Sequence, residues 1–402
     1  MIPFQLHRRI PLLRRPFYQR DRAIKQRDQA IAARDALLAG REGRDLADNF
    51  WWCRHRRAER IAGSAAVAAM PAFDDAGLIA RVVAAYRTAN ATALGSKNSF
   101  WLQSFSDFKR PVHDALLSPD AETAVAPMLR NPGDNMLFYG FDNLTCRTGA
   151  SASTEHGHHH IPVYDDLLRL VEALGVQRLD NPETLEADRA PETETILRGL
   201  DAVFGFTVRF PNPFPDEVGL ATTRGVASYR AVQALYQAYR VAALVGDRSG
   251  ARVVEIGGGL GRTAFYADQF GLRDYTVIDL PMTNVAQGYF LGRVLGPDAI
   301  SLFGEDRPGI RVLPPVAFLN ASDKYDIALN VDSLTEMAPG TAIDYCRAIG
   351  ERADIFLSIN HESNLRTVRD ICASLGMSAS SRTPYWLRSG YLDEVFMLSA
   401  PR

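Results

Sequence analysis

Cysteine is scarce in this 402-residue chain: Cys53, Cys146, Cys346 and Cys372 stand far apart, with no CxxC pair among them. That spacing excludes a disulfide framework and a zinc ribbon and fits a reducing compartment. No run approaches the ~18–20 apolar residues of a membrane span. The N-terminus carries no uninterrupted apolar core of the secretory kind, so a soluble, cytoplasmic protein is expected. The dinucleotide fingerprint G-x-G-x-x-G is missing too. Started from Gly257 and Gly259, its third glycine falls on Arg262; started from Gly258, its second falls on Leu260. A redox dinucleotide is therefore not expected on this glycine-rich stretch.

Charge of one sign is unevenly spread. The net charge of −2 hides 15 Lys/Arg against 7 Asp/Glu in residues 1–60, leaving 30 against 40 in the rest. The basic head opens as an Arg- and Pro-rich arm over 1–18 and continues as the repeat "RDRAIKQ RDQAIAA RDALLAG". Its Ile24, Ile31 and Leu38 stand one heptad apart, with Ala23, Ala30 and Leu37 beside them. A coiled coil wants two separated apolar heptad positions, whereas these are adjacent and Gly40 and Gly43 end the run. Two readings stay open: a helix that joins copies into a homo-oligomer, and a solvated helix laced with Arg and Asp. The basic arm suits weak contact with a membrane surface. No aromatic platform interleaves the arginines, so nucleic acid is not an expected partner.

Residues 61–215 read as mainly helical, with segments near 76–93, 119–129, 163–175 and 192–203. The proline-rich "VRFPNPFPDEVG" reads as a linker, and "VASYRAVQALYQAYRVAALVG" at 226–246 as a long helix stopped by Gly246. From there strands and helices alternate. Strands are expected near 252–256, 275–279, 310–313, 325–331, 354–359 and 393–400, with helices near 261–270, 283–295, 339–350 and 364–375. Such alternation predicts an α/β fold, a doubly wound Rossmann-like sheet over 216–402 behind a mainly helical N-terminal region.

Four glycines fall in five positions in "VVEIGGGLGR", between the first expected strand and its helix. Ligands of such sheets lie beyond the carboxyl ends of the strands, at the point where strand order reverses. The pattern E-x-G-x-G-x-G, with Glu255, Gly257, Gly259 and Gly261, resembles the first motif of class I S-adenosylmethionine-dependent methyltransferases. A ligand with an amino-acid end and a sulfonium, but no pyrophosphate, suits an acid at a strand end beside bare backbone. Asp279, eighteen residues beyond Gly261, ends the second strand, where a carboxylate can accept both ribose hydroxyls. Leu280 is expected against the adenine. The competing reading is that the glycines only allow close strand–helix packing.

Methyl transfer needs a positioned acceptor and, for a hydroxyl, a base. Candidates should sit at the ends of strands four and five. The fourth offers Asn330, expected at the cofactor, with Asp332, Ser333 and Glu336; the fifth offers His361 and Glu362. His361 is the preferred base, because an imidazole with a pKa near ~6.5 takes a proton near neutrality. Asp332 and Glu336 are candidates to orient that imidazole or hold an acceptor hydroxyl. Their alternative is helix capping, since Ser333 and Glu336 form S-x-x-E.

Taken together, "VVEIGGGLGR", "YTVIDLP", "NVDSLTEM" and "LSINHES" resemble the bacterial sugar O-methyltransferase family over roughly residues 160–400. The resemblance implies methylation of a hydroxyl on a saccharide or glycosylated metabolite. Leu260 and Arg262 depart from it, where an aromatic residue and further glycines are usual, and so does "PNP" at 211–213. Two metal readings arise. His156, His158, His159 and His160 are clustered, but neighbouring histidines of a polar loop cannot all face one ion, and loop-surface histidines are expected. Asp332, Glu336 and Glu362 could form a magnesium site; no metal ligand is assigned.

Overall fold

The computed structural model describes residues 65–67, 73–92, 108–138, 142, 160–177, 191–247 and 250–399. The chain divides into two compact units, residues 1–61 with 179–191 and residues 62–178 with 192–402; all described residues except Pro191 belong to the second. The basic arm, the heptad repeat, Cys53, Cys146, His156, His158 and His159 lie outside the described residues. No helix among the described residues is long and apolar enough to cross a membrane.

Strands β1 (Ala65–Val67), β2 (Val218–Thr222) and β3 (Gly225–Ala227) form a small antiparallel sheet. The main sheet holds β4 (Val253–Ile256), β5 (Tyr275–Ile278), β6 (Ile300–Leu302), β7 (Ile310–Leu313), β8 (Tyr325–Val331), β9 (Ala353–His361), β10 (Ser381–Pro384) and β11 (Tyr391–Met397). Their order is β10-β11-β9-β8-β4-β5-β7-β6. The six strands from β9 to β6 are parallel, and β11 and β10 close one edge antiparallel. This is the expected doubly wound α/β sheet. The chain runs outward from β4 through β5 and returns to β8 on the other side of β4, so the switch point lies between β4 and β8.

Both central strands, β4 and β5, are buried along their whole length. That is why they read as continuous apolar runs rather than alternating ones. Burial of each Val or Ile there contributes roughly 1.5–3 kcal/mol. Helices cover the sheet, among them Tyr229–Val245, Arg262–Gln269, Pro281–Leu295 and Pro339–Arg352. The N-terminal helix Ala76–Ala91 packs on Pro281–Leu295, where Gly288 and Gly292 leave room for Val82 and Leu78. Arg81 fixes the join by a bidentate bond to Glu305, Nε–Oε1 and Nη2–Oε2 both 2.7 Å.

Two expectations fail in instructive ways. The proline-rich stretch is no exposed linker: Val208, Phe210 and Phe214 are fully buried, Phe214 meeting Phe138 edge-on at 4.9 Å. Proline forbids helix and interior strand but does not keep the side chains between prolines in water. The long helix begins at Tyr229 rather than 226, because Val226 and Ala227 pair in β3 and Ser228 caps the helix, accepting from the N–H of Ala231.

Candidate active site

At the carboxyl ends of β4, β5 and β8 lies a cavity of about 350 Å³. The size is that of a small-molecule site. The turn after β4 shapes its floor. Gly257 has φ +74°, and a Cβ there would collide with the side chain of Ser333. Gly261, at φ +90°, starts the helix Arg262–Gln269 and lies against Leu291. Gln287 joins the turn to the neighbouring strand end, donating from Nε2 to O of Gly259 and to Oδ2 of Asp279, both at 2.9 Å.

Glu255, Gly257, Gly259, Asp279 and Leu280 all line this cavity. Glu255 is only 2% exposed, and its burial pushes the carboxyl up to about 7 against the hydrogen bond from Tyr275. Asp279 keeps some exposure at the cavity edge, yet desolvation lifts it to about 6. The buried Lys109 pulls the other way on Asp279, and is itself lowered to about 8 by burial. Leu280, 36% exposed, offers an apolar face beside Pro315 and Leu319.

Gly261 and Asn330 do not line the cavity. Asn330 is fully buried beneath it, donating from Nδ2 to O of Ile256 at 2.8 Å and to Oγ of Ser333 at 2.6 Å, while Oδ1 accepts from Asn360. It braces the glycine turn from below. Ser333 donates to the same Ile256 carbonyl at 3.1 Å, so S-x-x-E is not a capping box; the cap position belongs to Asp332, which makes no side-chain cap bond.

Asp332 and Glu336 both line the cavity. Asp332 holds a left-handed backbone, φ +68°, uncommon for a residue other than glycine. Its Oδ2 accepts from Tyr391 at 2.7 Å and from Arg388 at 3.0 Å; its Oδ1 is buried without a hydrogen bond and lies 3.6 Å from Nε2 of His361. His361 stands behind Asp332 rather than on the cavity wall. Its Nδ1 accepts from the N–H of Ser363 at 3.2 Å, which leaves the proton of the neutral ring on Nε2, facing Asp332 and Thr335.

The carboxylate metal reading finds no support in the geometry, and the histidine cluster, except His160, lies outside the described residues. Glu362 is held by Arg382, Nη2–Oε2 2.7 Å, and no group of three His, Cys, Asp or Glu residues able to hold a metal ion exists among the described residues. His160 is not a surface loop residue: it is 2% exposed and opens the helix His160–Ala173.

Several cavity residues escaped the sequence reading. Arg230, Gln233 and Gln237 recur at i, i+3 and i+7 on the helix Tyr229–Val245, a polar stripe on an otherwise apolar helix. That spacing was the available signal. Arg262, seen only as a departure from the family pattern, is buried with Asp142 at 2.8 Å and Glu217 at 2.8 Å. Arg388 and Tyr391 gave no local signal at all.

No protein-family model matches the chain, and no curated protein matches it. Solved structures resemble parts of it. Magnesium protoporphyrin IX methyltransferase (ChlM) from Synechocystis PCC 6803 with bound SAM is 16% identical, covering 41% of this chain and 79% of that one, at a TM-score of 0.33. The glycopeptide N-methyltransferase MtfA, complexed with SAM, is 13% identical over 41% and 94% of the two chains, TM-score 0.33. The 1,6-didemethyltoxoflavin-N1-methyltransferase of Burkholderia thailandensis is 18% identical over 40% and 77%, TM-score 0.30. Likenesses at these values say nothing of what this chain binds; the strand order and the cavity carry the reading.

Proposed function

We propose that the chain is an S-adenosylmethionine-dependent O-methyltransferase whose acceptor is a saccharide or glycosylated metabolite. The observation that carries it is one cavity in which two strand-end acids, Glu255 and Asp279, flank a turn where a Cβ at Gly257 or Gly258 would collide with its neighbours. Both acids line the cavity, where a ligand bearing positive charge and hydroxyls would meet them, and the charge of Lys109 also acts on Asp279. The cofactor fits these residues: its amino-acid end against Gly257–Gly259 and Glu255, its ribose hydroxyls on Asp279, its base against Leu280. When bound, it supplies a methyl group on an activated sulfonium.

The chain's own part is to bind, orient and deprotonate the acceptor. Asp332 is the proposed base, since it lines the cavity and its buried Oδ1, 3.6 Å from His361, has no hydrogen bond to give up when the side chain turns to an acceptor. Tyr391 and Arg388 hold its other oxygen, and His361 directs Nε2–H toward it. The roles expected from sequence are thereby exchanged: His361 orients, Asp332 meets the acceptor. Arg230, Gln233, Gln237 and Glu336 place polar groups on a wall that also carries Leu319, Val331, Met337 and Tyr345, and those polar groups suit the hydroxyls of a saccharide acceptor.

Calorimetric titration tests the cofactor. S-adenosylmethionine and S-adenosylhomocysteine should bind, and the absence of both heats would end this reading. Incubation with methyl-labelled cofactor and a host-cell extract should place label in a glycan fraction. Label confined to an aromatic metabolite would move the acceptor class while leaving the cofactor in place.

A further inference from the structure

Arg230 and Gln233 are adjacent on the cavity wall, one helical turn apart, and the chain uses neither. Two other guanidiniums at the site are committed: Arg262 to Asp142 and Glu217, Arg388 to Asp332. Arg230 forms no salt bridge with any described residue. Its contact is the ring of Tyr229, 5.1 Å from the guanidinium carbon, and its Nε is buried without a hydrogen bond. Gln233 is 4% exposed, lines the cavity, and makes no side-chain hydrogen bond with a described residue. The buried, unpaired Nε of Arg230 is destabilising, and a ligand oxygen beside it and the Gln233 amide would remove that loss.

The electrostatics identify the sign of that ligand. Arg230 sits at the second position of a 17-residue helix, where the helix dipole adds to its charge. The helix that carries Arg230 contributes no acid to the cavity. Arg230 and Asp332 line the same cavity.

We infer that Arg230 and Gln233 form an anion subsite, receiving a carboxylate or phosphate by charge-assisted hydrogen bonds from the guanidinium and the amide. The inference rests on the cofactor reading for its setting. The anion has two sources, the amino-acid carboxylate of the cofactor and an acidic group on the acceptor, such as a uronate or a sugar phosphate.

Titration calorimetry on the full chain separates them. Wild type and Arg230→Gln are each titrated with S-adenosylhomocysteine and with methylthioadenosine, which lacks the carboxylate. Both are then titrated with glucuronate, glucose 6-phosphate and glucose in the presence of saturating homocysteine nucleoside. If the anion belongs to the cofactor, Arg230→Gln weakens S-adenosylhomocysteine at least tenfold and leaves methylthioadenosine within twofold. If it belongs to the acceptor, both nucleosides bind unchanged, and wild type prefers an acidic sugar to glucose by at least tenfold while the variant does not. Arg230→Lys should recover part of either loss. Equal weakening of both nucleosides, or no effect of the variant in either arm, overturns the subsite. A wild type that binds neither nucleoside sinks the cofactor reading instead, and the sugar arm, run on the protein alone, still decides for or against Arg230. Unchanged thermal unfolding of the variant excludes misfolding.

Discussion

Tyr275 donates its hydroxyl to Oε2 of Glu255 at 3.0 Å, from one fully buried strand to its neighbour. This bond steadies the carboxylate but does not offset its burial, which lifts the carboxyl from 4.5 to about 7. Between those values the folded chain holds a proton that the unfolded chain has lost. Stability from this group is thus fully present below about pH 4.5 and is lost as pH rises through 7, to the extent of about 3 kcal/mol. Glu255→Gln should remove that slope and unfold at a higher temperature than wild type at pH 8. Parallel melting curves for the two proteins from pH 5 to 8 would contradict the buried acid.

Cofactor affinity should run the other way with pH. A cationic ligand requires Glu255 and Asp279 ionised, and their carboxyls stand near 7 and 6. Lowering pH from 7.5 to 5.5 should weaken S-adenosylmethionine roughly tenfold or more, with proton release on binding. Asp279→Asn should bind more weakly at pH 7.5 and show a shallower profile. Calorimetry in buffers of differing ionisation enthalpy reads the protons directly, and none released would count against this pair of acids.

Much of this site was legible in the sequence because it depends on short-range pattern. Glu255, Gly257, Gly259 and Asp279 sit at strand ends, and strand ends follow from apolar runs and glycine. What lay beyond reach depends on tertiary approach. Arg388 and Tyr391 meet Asp332 only because β11 pairs antiparallel with β9, setting Tyr391 against His361. The short strands β6 and β10 passed unseen for a related reason: three- and four-residue edge strands carry too little periodicity. Asn330 was legible as a strand-end polar residue, but not its direction, which is fixed by the bond its Nδ2 donates to the Ile256 carbonyl.

Asp332 makes a separable prediction. Asp332→Asn keeps a side chain that tolerates left-handed backbone, so the fold should hold, with melting within a few degrees of wild type. Turnover of the labelled glycan fraction should fall by at least ~100-fold, the range expected for loss of a general base, with S-adenosylhomocysteine affinity unchanged. Tyr391→Phe, which removes one of two bonds to Oδ2, should cost less, about tenfold in turnover. If His361→Ala abolishes turnover while Asp332→Asn spares it, the two roles revert to the order expected from sequence.

Gly257 and Ser333 should behave as a coupled pair. Gly257→Ala meets two obstacles, a left-handed backbone and the Ser333 side chain, and should destabilise the protein by about 2 kcal/mol while weakening the cofactor. Ser333→Gly removes the second obstacle, at the expense of the hydroxyl that Asn330 and Ile256 share. The double variant should therefore be more stable than the sum of the two losses predicts, by about 1 kcal/mol. Denaturant unfolding of all four proteins measures that coupling. Simple additivity would mean that backbone strain alone demands glycine here and that Ser333 yields.

Arg262 stands where the expected pattern has a glycine, and its geometry turns that departure into a test. Asp142 and Glu217, 5% and 3% exposed at the side chain, share its guanidinium, which also lies 5.4 Å from the ring of Phe290. Burial would lower its pKa, but the two carboxylates hold it above the ordinary arginine value. Arg262→Met leaves two buried acids without their cation and should cost about 3–5 kcal/mol at pH 7. Arg262→Lys should recover only part, because an ammonium cannot serve both carboxylates through a planar fork. Because Arg262 and Asp142 both line the cavity, the same variants should weaken S-adenosylhomocysteine. Full stability of Arg262→Met at pH 7 would show that the acids are relieved by water instead.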